Sequence, residues 1–160
     1  MFLTIKKIPK TKWSSPKPLN FKPKISTFLY LSLGLTFFGL GEGLLLVSST
    51  GASPWSVLAQ GISLNIKYSI GIITFFISLF VIFLWIFLDQ KPGVGTVLNA
   101  IIIALMIDVS LSFFNTPLSY FSQMTMAIFA VLLVGLGSGF YLIANLGPGP
   151  RDGLMTGLQK

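Results

Sequence analysis

Apolar positions along this chain cluster into long uninterrupted runs, without the alternation of a half-buried strand or the narrow stripe of a soluble helix. The first runs from Ile25 to Val47, 23 residues. Three more cover about Tyr68 to Leu88, Gly95 to Phe114 and Met124 to Ala144. A helix rises about 1.5 Å per residue and a hydrocarbon core is about 30 Å thick, so each run is long enough to cross it. The pattern predicts an all-α, polytopic bundle of four transmembrane helices. Turn formers mark the short links, Asp89-Gln90-Lys91-Pro92-Gly93 and Asn115-Thr116-Pro117-Leu118. The link from Ser48 to Lys67 is longer and has an apolar stretch of its own.

Composition agrees with a membrane protein: 53% of residues are hydrophobic and 9% charged, with a mean hydropathy of +0.85. Cysteine and histidine are absent from the sequence. Thiolate nucleophiles, disulfides, zinc or haem ligation and the usual neutral-pH base are therefore excluded, so neither enzymatic activity nor a metal or other cofactor is expected. The net charge of +7 does not imply nucleic acid, because seven of the eleven cations (Lys6, Lys7, Lys10, Lys12, Lys17, Lys22, Lys24) fall within residues 1–24. Together with Pro9, Pro16 and Pro23 they predict a solvated, disordered basic tail. The tail does not lead into a cleaved signal, since the run that follows exceeds the 7 to 15 residues or so of a signal core and lacks a small-x-small site. With the tail cytoplasmic, ten cations lie inside and Lys67 alone outside, which predicts a multi-pass protein of the bacterial plasma membrane with an inner N-terminus.

Compared with itself at an offset of 96, the chain aligns Gly39–Gly61 with Gly135–Gly157 without a gap. Five glycines and one proline (Pro54, Pro150) coincide. An ungapped register of glycine and proline is harder to reach by chance than one of leucines, and it indicates an internal duplication. Three spans separate the copies, so they are expected to face opposite sides as an inverted repeat. The first repeat would be residues 25–114 and the second would begin at 115–160. Each copy carries a small-xxx-small pair for helix packing, Gly39 with Gly43 and Gly135 with Gly139. Each then breaks, with Gly51 and Gly147 expected as left-handed caps, and restarts with proline at the first helical position behind Ser53 or Gly149. The new segments, 54–64 and 150–158, are too short to span and are predicted to be re-entrant or interfacial half-helices.

A helix N-terminus favours Asp152 in its first turn but gains nothing from Arg151, so the arginine needs another reason. One is an anion site, in which Arg151 and the amides behind Gly149 and Pro150 hold a carboxylate or phosphate. The other is an interfacial arginine meeting lipid phosphates and its neighbour Asp152. Glu42 and Asp108 are each expected 8 to 9 Å or so inside the outer helix ends, where they are either ion or proton ligands, or bonded to serines, Asn99 or backbone. Their depth alone would allow them to be neighbours. Trp55 is a candidate for solute stacking and, with more weight, for the interfacial aromatic belt.

Pro54-Trp55 with Val57-Leu58 and Gly61, then Lys91–Ala100 leading to Ile107-Asp108, then Leu146–Gly157 resemble the YczE/YyaS/YitT-like bacterial integral membrane proteins. The resemblance implies a polytopic plasma-membrane protein whose activity is not established. It further implies an acid after the tryptophan, where this chain has Ser56, and two further apolar runs beyond residue 160. The function expected is transporter- or channel-like, for a small anionic solute, in contact with the lipid bilayer and with no nucleic acid partner. The alternative is a non-transporting scaffold or accessory subunit that uses its glycine faces for a homo-oligomer or membrane partner.

Overall fold

The computed structural model describes residues 11–159. Lys6, Lys7, Lys10 and Lys160, which the charge arguments use, lie outside the described residues. Six α-helices follow in order: α1 Ile25–Ser48, α2 Pro54–Ile66, α3 Ile70–Leu84, α4 Val94–Phe113, α5 Tyr120–Ala144 and α6 Pro150–Leu158. A 3-10 turn, Trp85–Leu88, prolongs α3. Four spans have the length and hydropathy to cross a membrane: α1, α3 with its 3-10 turn, α4 and α5. The expected all-α polytopic bundle is what the chain forms.

Glycine decides how the long helices meet. α1 and α5 run antiparallel: a Cβ at Gly41 would lie 2.7 Å from the Ala130 carbonyl and 2.9 Å from the Val134 amide, and one at Gly137 would lie 2.5 Å from Gly34 O and Phe38 N. The offset of 96 interchanges these contacts, since Gly41 corresponds to Gly137, Gly34 to Ala130 and Phe38 to Val134. Removing the side chain lets the backbones approach to van der Waals contact, which is the main attraction between helices in lipid. α4 lies parallel to α1 along Gly39 and Gly43, which face Ile103, Met106 and Ser110. Leu31, Leu35, Ile103, Ile107, Tyr141, Ala144 and Leu146 form the buried core between these three helices.

Gly135 and Gly139 depart from expectation. A Cβ at either would meet nothing within 4 Å, because α1 occupies the Gly137 side of α5 and no described helix lies on the other. The breaks also differ in detail. The left-handed caps are Ser49 (φ 56) and Asn145 (φ 53), themselves 96 residues apart. Gly51, expected in that role, is not among the positive-φ glycines, whereas Gly147 is (φ 108), two residues beyond the cap Asn145. At Gly147 a side chain would be strained and would also press on Gly93 and Thr96.

Residues 11–24, expected to be solvated and disordered, fold onto the bundle where α1 begins. Trp13 stacks on Tyr30 with centroids 4.6 Å apart, and the Thr27 hydroxyl donates to Trp13 O. Buried Ser15 donates its amide to Ala144 O at 3.0 Å and accepts at its carbonyl from Asn145 Nδ2 at 2.9 Å. Aromatic stacking and these bonds offset the chain entropy that the proline- and lysine-rich composition suggested would prevail.

Candidate functional site

The first turns of the two half-helices come together, Arg151 of α6 lying over Trp55 of α2, with the start of α6 buried and that of α2 partly exposed. After Ser48 the chain doubles back so that Ser53 caps α2, its hydroxyl accepting from the Ser56 amide at 3.3 Å. Pro54 takes the first helical position, where a missing N–H costs nothing. After Ala144 the chain likewise turns inward. Gly95 N donates to Leu146 O at 2.8 Å, and the Thr96 hydroxyl donates to Pro148 O at 2.7 Å, which ties this reversal to the start of α4. Gly149 must be small, since a Cβ there would lie 2.9 Å from Asn99 Nδ2. Asn99 is accordingly buried against the start of α6.

Glu42 joins the two half-helices. Its Oε2 accepts from the Ser53 hydroxyl at 2.7 Å and from the Ser56 hydroxyl at 2.6 Å. Its Oε1 faces Arg151 Nη1 at 3.6 Å, with side-chain exposures of 4% for Glu42 and 20% for Arg151. The guanidinium also lies over the Trp55 ring, 5.7 Å from its centroid, a cation–π contact that desolvation strengthens. Trp55 and Arg151 are 96 residues apart and so hold the same position in their half-helices. An arginine has five N–H donors in a fixed fork, and Glu42 is its one acidic contact among the described residues. Beside it lies a cavity of about 10 Å³, lined by Trp55, Thr74, Ser78, Pro150 and Arg151 among others, room for about one water.

Trp85, which the sequence did not single out, sets the position of α6. It is buried, donates Nε1–H to Pro150 O at 3.2 Å, and packs its ring where Gly153 lacks a side chain. Asp152 lies in the first turn of α6, where a carboxylate favours the helix N-terminus.

The Asp108 carboxylate has partners of its own, Ser69 and Gly71, and no bond to Glu42. Its Oδ1 accepts from the Gly71 amide at 2.7 Å and its Oδ2 from the Ser69 hydroxyl at 2.6 Å. The carboxylate therefore caps α3 from a neighbouring helix. The two carboxylates thus serve different helix starts, Asp108 that of α3 and Glu42 those of α2 and α6.

A family model described as a family of unknown function (DUF6198) matches residues 25–160. An uncharacterized protein of Haemophilus influenzae is 38% identical over 154 residues, 96% of this chain and 70% of the relative. The uncharacterized membrane protein YczE of Bacillus subtilis is 33% identical over 137 residues, 81% of this chain and 60% of that protein. No solved structure matches the chain.

Proposed function

Since the chain belongs to the family of unknown function DUF6198 and is a multi-pass membrane protein, we propose that it is transporter-like and takes a small anionic solute between its two half-helix starts. The observation that carries this reading is the Glu42–Arg151 pair beneath Trp55, one charge beside each half-helix N-terminus. The interchange of contacts between Gly41 and Gly137, with Trp55 and Arg151 meeting at matched positions, supports an inverted repeat whose broken helices frame the site. In this reading the N-terminus is cytoplasmic, the membrane is the bacterial plasma membrane, and the protein catalyses no reaction.

The chemistry of exchange follows from the hydrogen bonds. A carboxylate or phosphate oxygen entering beside Arg151 takes its remaining N–H donors and the amides at the start of α6. Arg151 then turns from Glu42 to the solute. Glu42 is not stranded, because the Ser53 and Ser56 hydroxyls still donate to it. A buried carboxylate left without partners would make that exchange prohibitive.

Flux of small carboxylates and inorganic phosphate into vesicles containing the purified protein tests the proposal. Each charge-assisted hydrogen bond is worth about 1.5–3 kcal/mol, so Arg151→Ala is expected to cut flux by roughly tenfold or more. Replacement of the lysines in 12–24 is expected to leave it unchanged. Absence of flux for every probe would favour the scaffold alternative.

A further inference from the structure

Gly39 and Gly43 are the seat of α4. A Cβ at Gly39 would come 2.6 Å from Met106 Cβ and 2.9 Å from Ile103 Cα, and one at Gly43 would collide with Ser110. The Ser110 hydroxyl also lies 3.4 Å from Leu40 O across that contact. The corresponding glycines of the second copy, Gly135 and Gly139, are open, and Leu132, one turn earlier, is 66% exposed. Between them Gly137 is used, against α1, just as Gly41 is used against α5. One chain thus holds the same glycine triplet twice, fully occupied on α1 and one-third occupied on α5.

We propose that the Gly135–Gly139 face of α5 seats a transmembrane helix of α4's sequence type, parallel to α5 and packed on it as α4 packs on α1. The occupied copy specifies its chemistry: bulky apolar side chains straddling Gly135, as Ile103 and Met106 straddle Gly39, and a small hydroxyl residue opposite Gly139, as Ser110 lies opposite Gly43. A second copy of α5 does not have this pattern, because its facing positions would be the glycines themselves. The curated relatives have sequence outside the match in which such a helix can lie, since the match covers 70% of one and 60% of the other. The proposal rests on the inverted-repeat part of the functional reading and not on solute passage.

Cysteine cross-linking tests it, in a chain that has no cysteine of its own. The chain carrying Gly135→Cys is reconstituted with a synthetic peptide of residues 92–114 bearing Met106→Cys, with added lysines at its carboxyl end to hold that end on the inner side. A chain–peptide cross-link is expected. It should be lost with Gly139→Leu in the chain and absent when the lysines are moved to the amino end of the peptide. Leu132→Cys paired with Ile103→Cys in the peptide should report the same contact one turn away. Equal yield in both peptide orientations, chain–chain cross-links in place of chain–peptide ones, or reaction with a lipid-phase maleimide alone would each overturn the proposal. Because the readout is proximity, it is independent of flux: flux lost with cross-linking retained counts against the solute site and leaves this seat standing.

Discussion

Glu42→Gln tests whether the central ion pair is one coupled unit. Glutamine fills the same volume and keeps a carbonyl oxygen for the Ser53 and Ser56 hydroxyls at 2.7 and 2.6 Å, so the change removes little besides the charge 3.6 Å from Arg151. Breaking a buried pair from one side costs about 3–5 kcal/mol, because the partner's charge is left uncompensated. Two observations put this pair at the lower end. Arg151 keeps 20% of its side-chain surface exposed, and it meets Glu42 through one nitrogen rather than a two-pronged fork. We expect about 3 kcal/mol for Glu42→Gln. Arg151→Gln should cost about 2–3 kcal/mol, since the stranded carboxylate retains its two hydroxyl donors. The double substitution removes both charges and should fall short of the summed losses by about 2 kcal/mol. Reversible unfolding of the four proteins in bicelles measures the cycle. Independent sites add to within about 0.5 kcal/mol, and additivity of that quality here would refute the coupling.

Asp108→Asn should cost about 1–2 kcal/mol, through the loss of one of two bonds at the start of α3, and speed hydrogen exchange at the Gly71 amide while flux persists. Loss of flux with the fold intact would return Asp108 to the solute path. Gly137→Ala should cost about 1–3 kcal/mol, because its Cβ would meet Gly34 O and Phe38 N at 2.5 Å, whereas Gly139→Ala should stay within about 0.5 kcal/mol of the parent. Equal effects, read by thermal unfolding, would contradict the close α1–α5 approach. Trp85→Phe removes the bond to Pro150 O and should cost about 1 kcal/mol, seen as faster exchange at the Gly153 amide; no change would mean that ring packing alone places α6.

Elements set by local chemistry were legible in the sequence. The four spans follow from unbroken apolar runs, and the two restarts follow from proline at the first helical position behind a residue able to cap or to approach closely. What was not legible depends on direction around a helix and on distant partners. Position can be counted along one helix, but counting residues does not tell which neighbour a side chain such as Glu42 or Asp108 faces. The partner of Glu42 is Arg151, 109 residues away, and neither residue's own surroundings in sequence hint at the other. The same limit applies to glycine. Gly39, Gly41 and Gly43 look alike in sequence, yet successive helical residues turn by about 100°, so Gly41 faces α5 while its neighbours two positions away face α4. Composition misled at residues 11–24 for a related reason: it averages over lysines and prolines, whereas Trp13 and Ser15 individually find aromatic and backbone partners on α1 and just past α5. The duplicated register overcomes part of this limit. Once Gly41 and Gly137 are known to face each other's helices, the offset of 96 converts each contact of the first copy into an expectation for the second. That is how an open pair of glycines on α5 becomes a statement about what should lie against it.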